Sequence, residues 1–180
     1  MRFLEPDENT DKGITAIVID DDIDTVSVLS EFLRLKGVTV IGKEYGGLEG
    51  IDVYKKLKPD VIFLDVMMED QDGFYTLEKI RKIQSDAIVI FITGDTTEDT
   101  KKRLLELNAS AIIYKPYDIN EVIRVTDELV LRLKQELLED IATKKARLQE
   151  FNTILKNRIS ESKIHVPLRS QYFNENEELI

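Results

Sequence analysis

No cysteine occurs among the 180 residues, which excludes disulfides, thiol catalysis and cysteine-held zinc or iron–sulfur sites. There is one histidine, His165, so a multi-histidine metal site is excluded as well. Four prolines and eight glycines are too few for a collagen-like or proline-rich architecture. No apolar run approaches the roughly 18 residues of a membrane span. The start, Met1 to Asn9, lacks the basic-then-apolar layout of a signal peptide. A soluble cytoplasmic chain with no membrane contact is the expectation.

What is present is a globular composition, 42% hydrophobic and 33% charged, at a length suited to one domain plus an appendage. Acids outnumber bases 35 to 25, giving a net charge of −10. Residues 1–118 hold 24 acids and 15 bases, and residues 119–180 hold 11 and 10. The first part therefore repels nucleic acid as a whole. Between Ile141 and Arg169 seven bases face only two acids, a run that reads first as the solvated face of a helix.

Apolar, β-rich runs alternate five times with segments of helical period. The strands are expected at Ile14–Ile19, Val38–Ile41, Val61–Leu64, Ala87–Ile92 and Ala111–Tyr114. Between them Val26, Leu29, Phe32 and Leu33, and later Phe74, Leu77, Ile80 and Ile83, recur at helical spacing. Continuously apolar strands separated by helices describe an α/β fold: an open, doubly wound five-stranded parallel sheet. Its expected order is 2-1-3-4-5, flavodoxin-like, followed by an extended C-terminal helix. From Tyr117 to Val166 there is neither glycine nor proline, and apolar residues recur at Val122, Val125, Leu129, Leu133, Leu137, Ile141, Leu148, Phe151 and Leu155. One helix from about Asn120 to about Ile159 is expected there.

In such a sheet the site lies beyond the carboxyl ends of the strands. Those ends deliver Asp20-Asp21-Asp22, Asp65, Thr93-Gly94 and Lys115-Pro116. With strands one and three adjacent, Asp20, Asp21 and Asp65 converge. Like charges about 4 Å apart repel by roughly 4 kcal/mol at an effective dielectric near 20, so the cluster calls for a cation. Oxygen-only ligands suit Mg²⁺. Lys115 adds a positive charge fitted to a phosphoryl oxygen, and Thr93 adds a hydroxyl donor.

These stretches, together with Asp60 to Met68 and Asp72-Gly73-Phe74, resemble the receiver domain of two-component response regulators, in order and over residues 14–130. The resemblance implies that Asp65 accepts a phosphoryl group from a phosphohistidine on a sensor histidine kinase or a phosphotransfer protein. It implies that Asp20, Asp21, Asp65 and the backbone carbonyl of Met67 hold Mg²⁺, with Thr93 and Lys115 on the phosphoryl oxygens. The chain would then be no enzyme in the ordinary sense, but a signalling domain that assists its own phosphoryl transfer and dephosphorylation. The expected layout is a tail over 1–13, the receiver over 14–130, the extended helix with coiled-coil potential over 131–159, and a polar tail over 160–180.

Two departures from the family pattern stand out. Glu69 occupies a place where proline is usual, and Ile112 takes the aromatic switch position three residues before the lysine. Tyr114 is read as lying on the opposite strand face and is given no switch role. Asp22 and Asp24 read as helix-capping acids, Asp70 and Asp72 as turn residues, and His165 as a tail residue without a phosphotransfer role. Two alternatives remain. One is a receiver-shaped scaffold that binds partners without phosphorylation. The other is a Mg²⁺-dependent phosphatase with an aspartyl nucleophile, disfavoured because Met67 stands where that chemistry needs a second acid. No helix-turn-helix pattern follows the receiver, so direct nucleic-acid binding is not expected. Output through an unknown downstream protein is expected instead, with a homodimer through the C-terminal helix preferred to a fold-back or a hetero-partner.

Overall fold

The computed structural model describes residues 13–69 and 72–161; the expected 1–13 tail up to Lys12, Asp70 and the segment containing His165 lie outside the described residues. Among the described residues five strands and five helices alternate strictly. They are β1 (Thr15–Ile19), α1 (Ile23–Leu35), β2 (Thr39–Glu44), α2 (Gly47–Leu57), β3 (Val61–Leu64), α3 (Gly73–Ile83), β4 (Ile88–Thr93), α4 (Glu98–Glu106), β5 (Ala111–Tyr114) and α5 (Ile119–Glu161). All strand pairs are parallel and the order is β2-β1-β3-β4-β5. That is the sheet the apolar runs called for.

The two faces of the sheet bury two clusters, and period-two alternation sorts residues between them. Ala16, Val18, Phe63, Ile90 and Ile92 pack with Val26, Leu29 and Leu33 of α1 and with Val122 and Val130 of α5. Ile17, Ile19, Leu64, Val89 and Phe91 pack on the other side with Tyr54 of α2, Leu77 and Ile80 of α3 and Leu104 of α4. Helices on both faces explain why the central strands read as unbroken apolar runs. β2 extends to Glu44, three residues past the expected end, because Gly42, Lys43 and Glu44 pair with Ile17, Val18 and Ile19 while carrying no apolar signal.

Local chemistry sets the helix ends. Asp22 caps α1, its Oδ1 accepting from the amides of Asp24 (2.9 Å) and Thr25 (3.3 Å), while Asp24 sits in the first turn. Asp72 caps α3 through the Tyr75 amide at 2.8 Å, and Thr97 caps α4 through the Thr100 amide at 3.3 Å. Gly37, at φ +88°, ends α1 in the left-handed region that favours glycine. Chain contacts divide the protein into a unit ending at Leu133 and a second beginning at Lys134.

Candidate functional site

Parallel pairing brings the strand ends together. The amide of Asp65 donates to the Ile19 carbonyl at 2.9 Å, the amide of Asp20 to the Glu44 carbonyl at 3.2 Å, and the amide of Lys115 to the Thr93 carbonyl at 2.9 Å. The ladder thus carries Asp20, Asp65, Thr93 and Lys115 onto one edge of the sheet. The Lys115–Pro116 bond there is cis.

At the centre stands the ammonium of Lys115. Its Nζ donates to Asp20 Oδ2 at 2.7 Å and to Asp65 Oδ1 at 3.0 Å. Both aspartates are buried, and the lysine side chain is 29% exposed, so this charge is open to solvent on one side only. The remaining oxygens are engaged as well. Asp65 Oδ2 accepts from the Met67 amide at 2.6 Å, and Asp20 Oδ1 accepts from the Asp22 amide at 2.9 Å.

Burial pushes the Asp65 carboxyl above the usual carboxylate range. Lys115 opposes that shift through its hydrogen bond and its charge, while Asp20 adds to it. For Lys115, burial disfavours the charged form, but the hydrogen bonds and charges of Asp20 and Asp65 outweigh it and hold the amine above its ordinary value. The amine therefore remains an ammonium at neutral pH.

Asp21 takes a different partner. Its Oδ2 accepts from the Glu69 amide at 3.0 Å, joining the loop after β1 to the loop after β3. The structure brings Asp20 and Asp65 together around Lys115, whereas the third carboxylate faces this loop. Among the described residues no three His, Cys, Asp or Glu side chains gather at metal-binding spacing. The repulsion that seemed to demand a metal is met here by a lysine 95 residues from Asp20 in sequence, and local spacing gives no hint of that distance.

Backbone shape around Asp65 depends on Gly73. A Cβ at that position would lie 2.2 Å from the Asp65 carbonyl oxygen and 3.0 Å from Val66 Cα. Only glycine lets the start of α3 come this close to the strand end, and the Gly73 amide then donates to the Val66 carbonyl at 2.9 Å. At Gly94 an added Cβ meets no heavy atom within 4 Å, so this position after the strand is open.

Thr93 is fully buried, and its Oγ1 accepts from the Asp95 amide at 3.1 Å. Asp95 in turn accepts from Thr100 Oγ1 at 2.6 Å and from the Thr97 amide at 2.9 Å, which holds its carboxyl below the usual range. Thr93 is thus linked to the start of α4, a connection the sequence reading missed although Asp95-Thr96-Thr97 carries the side chains that build it. Tyr114 needs a correction. It stands two residues from Ile112, so alternation places both on the same strand face, with Tyr114 beside Thr93 and Ile112 beside Phe91. A shallow cavity of about 260 Å³ opens beside Lys115, lined also by Asp24, Thr25, Val28 and Tyr117.

Comparison with known proteins bears on the family and the fold. The family model for the response regulator receiver domain matches residues 16–127. The probable C4-dicarboxylate response regulator DctR of Bacillus subtilis is 33% identical over 122 residues, 67% of this chain and 54% of that protein. Response regulator SaeR of Staphylococcus epidermidis is 26% identical over 164 residues, 87% of this chain and 68% of that one. A DctR of Priestia megaterium is 34% identical across 59% of this chain and 47% of its own length. The chain thus spans about half the length of the DctR relatives it matches. Among solved structures, a chain of the CheX-CheY-BeF3-Mg²⁺ complex of Borrelia burgdorferi aligns with a TM-score of 0.62 at 27% identity, covering 64% of this chain and 88% of its own. A CheY-like receiver domain protein of Methanospirillum hungatei gives 0.65 at 21% identity over 68% and 98%, which bears on the fold.

Proposed function

The chain belongs to the response regulator receiver domain family of two-component signalling, and from that premise we propose that Asp65 accepts a phosphoryl group from a phosphohistidine of a sensor histidine kinase or phosphotransfer protein. The observation that carries this reading is the fork of Lys115 Nζ onto Asp20 and Asp65 at the carboxyl edge of the sheet. A carboxylate oxygen of Asp65 attacks phosphorus as the bond to the imidazole nitrogen breaks, and the electron pair leaves with the imidazole. An acyl phosphate results. Such transfer depends mainly on alignment and on neutralising charge spread over the phosphoryl oxygens.

Lys115 supplies one fixed positive charge at the accepting carboxylate. Thr93 Oγ1 accepts from Asp95, which leaves its own proton to donate to a phosphoryl oxygen. The carboxylate and carbonyl oxygens at this edge are the ligands a hard divalent cation takes, with Lys115 bridging the two buried carboxylates and Asp21 facing the Glu69 amide in this structure. Asp20, Asp21, Asp65 and the Met67 carbonyl would hold Mg²⁺. When bound, the ion supplies further neutralisation of the phosphoryl charge. A similar receiver was solved with BeF3 and Mg²⁺, which supports this assignment.

The receiver occupies residues 14–130, acts in the cytoplasm as a signalling domain rather than an enzyme, and passes its state to a downstream protein. Residues 131–159 serve assembly. Incubation with acetyl phosphate and Mg²⁺, followed by intact mass measurement, is expected to add one phosphoryl group to the wild type and none to Asp65→Asn. Stoichiometric labelling of the variant would overturn the assignment. Beryllofluoride that fails to bind in the presence of Mg²⁺ would favour the scaffold reading.

A further inference from the structure

Helix α5 runs unbroken from Ile119 to Glu161, yet its two halves differ in cover. In the first half Val122 and Val130 are buried in the core. From Lys134 to Ile159 every residue is exposed, including the large apolar ones, which range from 39% at Leu155 to 65% at Leu138. Apolar residues do not scatter along this second half. Leu137, Ile141, Leu148, Phe151 and Leu155 succeed one another at intervals of four, seven, three and four, all on one helix face.

Ile141, Leu148 and Leu155 recur at seven-residue spacing, with Leu137 and Phe151 at the alternating seam position. A seven-residue repeat underwinds the helix enough to keep such a seam facing a second helix, which is the geometry of a two-stranded coil. Two seam places hold bases, Lys144 and Arg158. Lys144 carries its ammonium to Asp140 on the flank at 2.5 Å, where its charge is paired.

The flanks choose the partner. In a parallel, in-register pair the residue before one seam position meets the residue five places on in its mate. Asp140 then faces Lys145 of the second copy, twice by symmetry. Arg147 faces Asn152, so no like charges oppose one another across the flanks, while at the seam Lys144 and Arg158 each meet their own copies. We propose that residues 134–159 form a parallel, in-register two-stranded coiled coil with a second copy of this chain, seamed by Leu137, Ile141, Leu148, Phe151 and Leu155.

Sedimentation equilibrium of the full chain at tens of micromolar is expected to give twice the chain mass. A monomer there overturns the proposal, and a heterologous protein would then be the cover. Leu148→Glu is expected to raise the dimer dissociation constant by about a hundredfold or more, since it removes two buried leucines per dimer. Gln149→Glu, one position off the seam, should leave it unchanged. Equal effects of the two substitutions overturn the seam, and urea unfolding of Leu148→Glu checks that the receiver stays folded. Asp140→Lys should weaken pairing and the Asp140→Lys, Lys145→Asp double variant should restore it; no restoration overturns the parallel register. Because the native chain has no cysteine, Ile141→Cys offers a clean probe of direction. Mild oxidation should link it into a covalent dimer, and a dimer that will not link overturns the parallel arrangement.

Discussion

Leu77 and Leu148 are both leucines on helices, at positions repeated with helical period, and they end in opposite circumstances. Leu77 is completely buried under the sheet, whereas Leu148 is 59% exposed. The unit ending at Leu133 has a sheet for its helices to cover, and each apolar stripe in α1, α2, α3 and α4 finds a strand face. Among the described residues of the unit beginning at Lys134 there is only helix, so an equally regular stripe meets water. Periodicity therefore reports that a face will be buried. It does not report what buries it.

The sharpest way to break that comparison is to truncate both leucines in dilute solution. Leu77→Ala should cost about 2–5 kcal/mol of unfolding free energy, from lost transfer and an unfilled cavity. Leu148→Ala, measured well below the concentration at which chains pair, should stay within about 0.5 kcal/mol. Urea denaturation of the two variants decides it, and similar losses would mean that Leu148 is covered within its own chain.

A smaller effect separates packing from charge within the receiver itself. Lys115→Met leaves Asp20 and Asp65 buried side by side without their common partner. Breaking a fully buried pair costs about 3–5 kcal/mol, and the part of Lys115 open to water should reduce this to about 2. The pH profile sharpens the point. The folded state holds the Asp65 proton more tightly than the unfolded chain does, chiefly through burial. Stability should therefore fall as pH rises from the usual carboxylate range through the raised folded value. Asp65→Asn should lack that fall and be the more stable protein at neutral pH. The Lys115 contribution has the opposite character: it is present throughout neutral pH and is lost only in alkali, beyond its raised value. A stability profile of Asp65→Asn that follows the wild type would refute this account of the site.

Much of this was legible because it is local or periodic. The strand–helix alternation and the identity of the edge residues follow from runs such as Val61–Leu64 and from the parallel-sheet rule that places sites at strand ends, while the order 2-1-3-4-5 came with the flavodoxin-like arrangement. The partner choices were not legible. Lys115 reaches Asp20 across 95 residues, and Asp21 turns to a backbone amide, which no side-chain pattern encodes. The face of Tyr114 was misplaced by an error of parity, since residues two apart on a strand share a side. β2 was read short because Gly42-Lys43-Glu44 belongs to an edge strand held by its ladder rather than by apolar side chains.

Helix capping gives the next effect in size. Asp22→Ala removes the acceptor for the Asp24 and Thr25 amides and for Thr25 Oγ1, and should cost about 1 kcal/mol. Asp22→Ser should recover most of it, since a hydroxyl serves the same amides. Loss in both variants alike would show that the Asp22 charge, not its acceptor oxygen, matters.

The smallest effect falls where the packed unit is most like the exposed helix, in the hydrogen bond from the Glu69 amide to Asp21, which is open to solvent. The side chain of Glu69 is exposed, so its identity should matter little, but its amide exists only because the residue is not proline. That amide occupies Asp21 Oδ2 and competes with any cation for the same oxygen. A hydrogen bond of this kind is worth about 0.5–1.5 kcal/mol net, which corresponds to roughly 2- to 12-fold in a binding constant. Glu69→Ala keeps the amide and should leave Mg²⁺ affinity, measured by isothermal titration, within about twofold of the wild type. Glu69→Pro removes the donor and should tighten Mg²⁺ binding by several fold, an increase that Asp21→Ala should abolish. If proline leaves the affinity unchanged, the amide and the cation do not share that oxygen. If alanine alone produces the gain, the carboxylate of Glu69, rather than its backbone, governs the loop.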